Sequence, residues 1–226
     1  MVIQEKSTVG DKALRNKEAV LIGLSIKNSY FKDENIKELL EWAKENFEHV
    51  NIMCPDEPAI HTLKSLGHDD KKATEKAMLE CNRLANKCKR YIEELGIANR
   101  ARIVRWDELG KNDSYKKTFQ TIKELYEKDQ DFRNDARATT QQVIEQHGTS
   151  LPIEEAIDIG VEFFLKELAL IINSAEILGV SMSAYVYHRK MPVLEKMLNG
   201  GYKYTPPQNT GYVICETDHS LANVAK

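Results

Sequence analysis

The sequence predicts a single α/β domain with a mostly parallel sheet flanked by helices. Two observations carry that class. Short, largely apolar runs occur at 19–24 (AVLIGL), 49–54 (HVNIMC), 101–106 (ARIVRW), 183–188 (SAYVYH) and 211–217 (GYVICET). They have strand length, and the first reads as a strand covered on both faces. Between them lie helical segments, and the strand–helix–strand order at the front favours parallel pairing through right-handed crossovers.

Each helix has a local reason. In 33–47, Ile36, Leu39, Leu40, Ala43 and Phe47 recur at helical spacing, behind an acidic first turn. A long helix is expected over 69–95. Two more are expected over 113–147 and 152–178, with Pro152 suiting the first turn of the second. Pro55 closes the second strand, and the glycines and prolines of 199–210 mark a loop. No repeat or low-complexity linker divides residues 1–226. Residues 1–16 and 218–226 are expected to be flexible tails.

Composition narrows the function classes. The chain has 226 residues, 42% of them hydrophobic and 30% charged, with a net charge of −3. That balance fits a soluble globular protein and gives no global attraction for nucleic acid, so any basic surface must be local. The N-terminus is polar and has no signal-like apolar region, and the longest apolar run, LALII at 168–172, is too short for a membrane span. Cys54, Cys81, Cys88 and Cys215 are scattered and read as free thiols of a reducing cytoplasm. The six histidines show no metal-ligand spacing, and no heptad seam suggests anything beyond a monomer.

Four features carry chemistry. Ser25 ends the first apolar run, where the residues alone allow a helix cap, a phosphate ligand or a nucleophile. Only Gly23 attends it, without the glycine-rich loop of a phosphate site, and "GLSIK" puts Lys27 where a hydrolase elbow needs glycine. On the 69–95 helix, Lys72, Lys76, Arg83, Lys87 and Arg90 fall within an arc of about 60°, forming a stripe about 27 Å long. Such a rod suits the phosphates of a folded RNA; the alternative is a solvated face diluted by Glu75, Glu80, Glu93 and Glu94. Glu167 shares a helix face with Phe163 amid Phe164, Leu168, Leu170 and Ile171. Dehydrated there, its pKa would rise into the range of proton transfer; beside Lys166 and Glu162 it would be wet. Tyr187 and His188 end a later strand, on the same sheet edge as Ser25, where ligands bind in open parallel sheets.

These residues and the motifs "VLIGLSIKNS", "LKELALIINSAEILG" and "AYVYHRKMP" resemble the cyclodipeptide synthases over about residues 17 to 217. Asn28, Tyr187 and His188 match the trio that marks the larger of the family's two subfamilies. The resemblance implies a Rossmann-like fold similar to the catalytic domain of class I aminoacyl-tRNA synthetases. It implies two aminoacyl-tRNAs per turnover, joined into a diketopiperazine through an aminoacyl-enzyme and a dipeptidyl-enzyme, with no cofactor. Ser25 would be the nucleophile, Glu167 the group that holds the amino group and moves protons, and Tyr187 an aid to the acyl steps. Gly23 would let the acyl group approach, and the basic stripe would be the tRNA-binding helix. Gly23, Leu24, Asn28, Phe163, Leu168 and His188 would line the substrate pocket. With Ile172, Leu24 and Leu168 suggest apolar walls and a hydrophobic product such as cyclo(Leu-Leu).

Three positions depart from the family pattern. Phe163 replaces a tyrosine, Ala169 a proline and Ala19 a frequent histidine. By the resemblance, loss of the hydroxyl at 163 would either lower activity or leave Glu167 to hold the amino group with another donor. The alternatives are a non-catalytic tRNA-binding relative and, less well supported, a serine hydrolase.

Overall fold

The computed structural model describes residues 1–217; the expected C-terminal tail at 218–226 lies outside them. Six strands form one sheet: β1 (Val2–Lys6), β2 (Ala19–Gly23), β3 (His49–Met53), β4 (Ala101–Val104), β5 (Ser183–Tyr187) and β6 (Thr210–Glu216), in the order β1-β6-β5-β2-β3-β4. All neighbours pair in parallel except β1 with β6. The chain therefore runs outward from β2 through β3 to β4, then returns to β5 on the other flank of β2. The boundary between β2 and β5 is the point where strand order reverses, and crevices open there beyond the strands' carboxyl ends.

Alternation along the strands splits the core into two layers. Leu21, Met53, Val104, Tyr185, Tyr212 and Ile214 face α6 (Asp113–Lys128), α7 (Gln130–His147) and α8 (Ile153–Ile172). Val20, Ile22, Val50, Ile52, Ala184, Val186 and Val213 face the other way. There they meet α2 (Asp33–Asn46) and the last turns of α4 (Asp70–Glu94). Leu24 goes with this second layer, among Ile36, Leu39, Leu40 and Ile52. Among the described residues no helix is long and apolar enough to cross a membrane.

The structure corrects several sequence expectations. Residues 2–16 are not a tail: β1 adds to the sheet edge, and α1 (Thr8–Asn16) packs back on β6. Ser7 fixes this corner, its Oγ accepting from both Gly10 N at 2.9 Å and Tyr212 N at 3.1 Å. A Cβ on Gly211 would lie 2.0 Å from Gly10 N, so only glycine allows the two backbones to meet. VIQEK carries no apolar period because β1 is largely exposed.

The helix expected over 113–147 is two, because Asp129 caps α7 through Asp131 N and Phe132 N and so ends α6. The one expected over 152–178 breaks at Asn173 into α8 and α9 (Ser174–Leu178). Three short helices are absent from the sequence expectation: α3 (Pro58–Ser65), α5 (Trp106–Leu109) and α10 (Pro192–Leu198).

Candidate active site

Ser25 lies two residues beyond β2, and Tyr187 ends β5 beside it. Their hydroxyls are 2.9 Å apart. The cap reading of Ser25 does not hold, since α2 begins at Asp33 with Lys32 at its N-cap position. Instead the chain folds back through 24–32. Lys27 adopts φ 56°, a left-handed conformation that costs a non-glycine residue about 1 kcal/mol. Asn28 Oδ1 accepts from Tyr30 N at 3.0 Å, and Phe31 N donates to Asn28 O at 3.1 Å.

Asn28 also reaches the next strand. Its Nδ2 lies 3.0 Å from His188 Nε2. As the only donor of the pair with an amide hydrogen, Nδ2 assigns the acceptor role to Nε2 and the proton to Nδ1. Tyr30 stacks on the imidazole at 4.0 Å between centroids, and Phe31 meets it edge-on at 5.5 Å. Burial, reinforced by the Arg189 charge, lowers the His188 pKa to about 4. His188 is thus a neutral strut that holds the loop. Among the described residues no imidazole hydrogen-bonds to Ser25, so they do not assemble the arrangement of a serine hydrolase.

Glu167 sits on α8, facing the Tyr185 side of the sheet. Its residue is partly open, but Oε1 is buried without a hydrogen-bond partner. Burial alone pushes the carboxyl pKa up to about 8. The wet alternative set Glu167 on an outer stripe beside Lys166 and Glu162, but Lys166 turns away. Its ammonium binds Glu57 Oε1 at 2.5 Å and His61 Nε2 at 3.2 Å. Leu168 and Ile172 are buried beside Glu167 in the same layer, and Phe163 is half-buried one turn before it. Leu24 lies in the opposite layer, so it is not a wall of a pocket that contains Glu167.

Gly23 has a different reason from the one expected. A Cβ there would stand 2.4 Å from the Tyr185 hydroxyl, so glycine makes room for a protein side chain. Tyr185 was missed in the sequence, although strand alternation puts it on the face of Tyr187. The two rings stack at 6.2 Å and 17°. Burial holds the Tyr187 phenol above its usual pKa, against the bond from Ser25, so it stays protonated at neutral pH.

The basic stripe divides. Lys87 and Arg90 both pair with Asp33 at the start of α2, at 3.4 and 2.7 Å, and Arg83 pairs with Glu80 at 3.0 Å. α4 has 25 residues, about 37 Å at 1.5 Å per residue. Because α2 begins level with Lys87, residues 70–86 project about 25 Å beyond it, past the carboxyl edge of the sheet. Ile26, next to Ser25, packs against the cluster that includes Ala73 and Ala77 of this projecting part. Exposed Lys72 and half-buried Lys76 are therefore on the side of Ser25, with Lys76 Nζ 3.2 Å from His68 Nε2.

Fold and site together define a Rossmann-like protein with a serine–tyrosine hydroxyl pair and an unpaired carboxyl at the switch point of its sheet. The chain belongs to the cyclodipeptide synthase family, whose model matches residues 4–217. It is thus an enzyme that transfers aminoacyl groups to form cyclodipeptides. It is 28% identical over 203 residues to the cyclo(L-leucyl-L-leucyl) synthase of Bacillus subtilis, covering 87% of this chain and 82% of that one. A crystal structure of a cyclodipeptide synthase from Bacillus thermoamylovorans superposes with a TM-score of 0.86 at 26% identity, over 93% of this chain and 94% of that one. The fold is also that of a Mycobacterium tuberculosis protein whose structure relates such enzymes to type I tRNA synthetases. There the TM-score is 0.81 at 20% identity, over 95% of this chain and 94% of that one.

Proposed function

We propose that the enzyme joins two aminoacyl-tRNAs by a ping-pong relay through Ser25. The observation that carries this reading is the 2.9 Å contact of Ser25 with Tyr187 at the switch point. In the first step Ser25 Oγ attacks the aminoacyl ester. The Ser25 proton passes through the Tyr187 phenol to the departing ribose oxygen, and the amino acid remains as a seryl ester. An ester is already activated, so positioning supplies most of the acceleration.

In the second step the α-amine of the seryl-bound residue attacks the ester of a second aminoacyl-tRNA. A dipeptide then sits on Ser25 and the second tRNA leaves. The terminal amine finally attacks the seryl ester, closing the six-membered ring and freeing Ser25. Both aminolyses shed an amine proton, and the fraction of Glu167 that is ionised at neutral pH, with a pKa near 8, collects it.

Lys72 and Lys76, on the projecting part of α4, are suited to hold the tRNA phosphates, with Arg83 further along. Leu168 and Ile172 favour apolar aminoacyl groups, in keeping with the leucyl product for which the Bacillus subtilis relative is named. The Asn28, Tyr187 and His188 set supports the larger subfamily. Charged tRNA places the reaction in the cytoplasm, and the reading takes the enzyme as a monomer of one catalytic domain.

The test uses tRNA charged with radiolabelled leucine. Label should attach to the wild-type protein and appear as a cyclic dipeptide, and both should vanish in Ser25→Ala. Cyclic dipeptide formed at the wild-type rate by Ser25→Ala would overturn the covalent relay.

A further inference from the structure

Glu167 Oε1 is not the only polar atom near the nucleophile that lacks a protein partner. The Tyr185 hydroxyl belongs to a residue only 2% exposed and makes no hydrogen bond among the described residues. Glu167 Oε1 is fully buried, and a buried polar atom left in this state costs stability unless something else satisfies it. Phe163, one turn before Glu167, offers no polar atom.

The position of the hydroxyl is well defined. It lies over the Cα of Gly23, where a Cβ would come within 2.4 Å of it, two residues from Ser25. The ring stacks on Tyr187, whose own hydroxyl touches Ser25. Two residues along a strand span about 6.6 Å, so β5 presents two phenols in a row, one at the nucleophile and one a step deeper. Burial raises the Tyr185 pKa well above normal, and the nearby Glu167 charge adds to this, which places the two groups in one electrostatic environment.

We infer that Tyr185 is a substrate-binding residue whose hydroxyl, with the Glu167 carboxyl, holds the α-amino group of the aminoacyl ester on Ser25. Three bonds separate the ester oxygen from the α-nitrogen, about 3 Å, and a hydrogen bond of about 2.9 Å beyond it covers the 6.2 Å step between the two rings. The α-amine is the donor common to every aminoacyl ester whatever its side chain. It would satisfy the carboxyl and the phenol together. Gly23 then serves the same contact, because any side chain there would displace the hydroxyl.

This inference rests on the acyl-transfer reading of Ser25, and its test separates the two. Initial rates of Ser25 acylation are measured for wild type and Tyr185→Phe with leucyl-tRNA and with its des-amino analogue, 4-methylpentanoyl-tRNA. Tyr185→Phe removes one oxygen that bonds to no protein group, so the fold should persist. The expected result is a loss of about 10- to 100-fold with leucyl-tRNA and no change with the des-amino ester. Unchanged acylation by leucyl-tRNA overturns the inference and leaves the acyl-transfer reading intact. Equal losses on both esters assign Tyr185 a packing role and overturn it too. Wild-type protein that is not acylated by leucyl-tRNA overturns both.

Discussion

The hydroxyls of Ser25 and Tyr187 meet at 2.9 Å across the boundary between β2 and β5. The two residues are 162 positions apart in sequence, and the reversal of strand order at this boundary brings them together. Ser25→Ala should abolish acyl-enzyme formation. Tyr187→Phe removes the relay but keeps the ring that packs on Phe31 and His188. Its acylation rate should fall about 10²-fold, measured by rapid quench with charged tRNA.

Glu167 should leave a mark on stability. Its pKa is about 8 in the folded protein, against an ordinary 4.5 for a glutamate carboxyl in water. Below pH 4.5 the carboxyl is neutral in both states and costs nothing. As pH rises from 4.5 to about 8, the unfolded chain ionises while folded Glu167 keeps its proton, so stability falls by about 1.4 kcal/mol per pH unit. Above pH 8 the loss is complete. Glu167→Gln lacks this loss, so its melting temperature should rise relative to wild type across that window while cyclic dipeptide formation collapses. Parallel melting curves between pH 5 and 8 would show that the carboxyl is solvated.

Gly23→Ala tests the close approach of β2 to Tyr185. The new methyl would fall 2.4 Å from a phenol oxygen buried in a packed layer, and the ring has little room to retreat. The expected cost is about 1–3 kcal/mol, read by urea denaturation. Tyr185→Leu in the same chain should recover most of it, because the clash is with that ring. A penalty that persists in the double variant would place the strain in the β2 backbone.

Much of the site was legible because its residues carry chemistry that their surroundings do not excuse. Ser25 closes an apolar strand without a glycine-rich loop, and Glu167 interrupts an apolar helix. Tyr185 escaped notice because a tyrosine within a strand reads as core until the neighbouring strand is known to present glycine. The sheet was legible in β2 to β6, where buried runs are apolar. β1 was not, since an exposed edge strand held by backbone bonds has no side-chain pattern to read. The stripe was legible as geometry, but its pairing was not: Asp33 is more than fifty residues away from Lys87 and Arg90.

That pairing makes the two ends of the stripe behave differently. Lys72→Ala with Lys76→Ala should weaken aminoacyl-tRNA binding and reduce its log–log salt slope by about two. Lys87→Ala with Arg90→Ala mainly frees Asp33, so the tRNA salt slope should change little. The stability cost should be small, because these pairs are largely exposed. Filter binding across a salt series measures both. Equal slopes lost from the two pairs would mean that Asp33 yields its partners to the RNA.

The N-terminal strand and helix offer the last prediction. A flexible tail could be removed without effect, but residues 2–16 are built into the edge of the sheet. Ser7 Oγ satisfies two backbone donors, Gly10 N and Tyr212 N. Ser7→Ala leaves both buried or half-buried groups short of an acceptor and should cost about 1–2 kcal/mol. Gly10→Ala drives a methyl to within 2.1 Å of Tyr212 O, a backbone atom that cannot rotate away, and should cost more. Deleting residues 1–16 exposes the long edge of β6, including the apolar run Tyr212 to Cys215, to pairing with other chains. The truncated protein should melt lower and aggregate at concentrations where the full chain stays dispersed, as measured by thermal scanning with light scattering. A truncation that melts and scatters like the full chain would return residues 1–16 to the status of a tail.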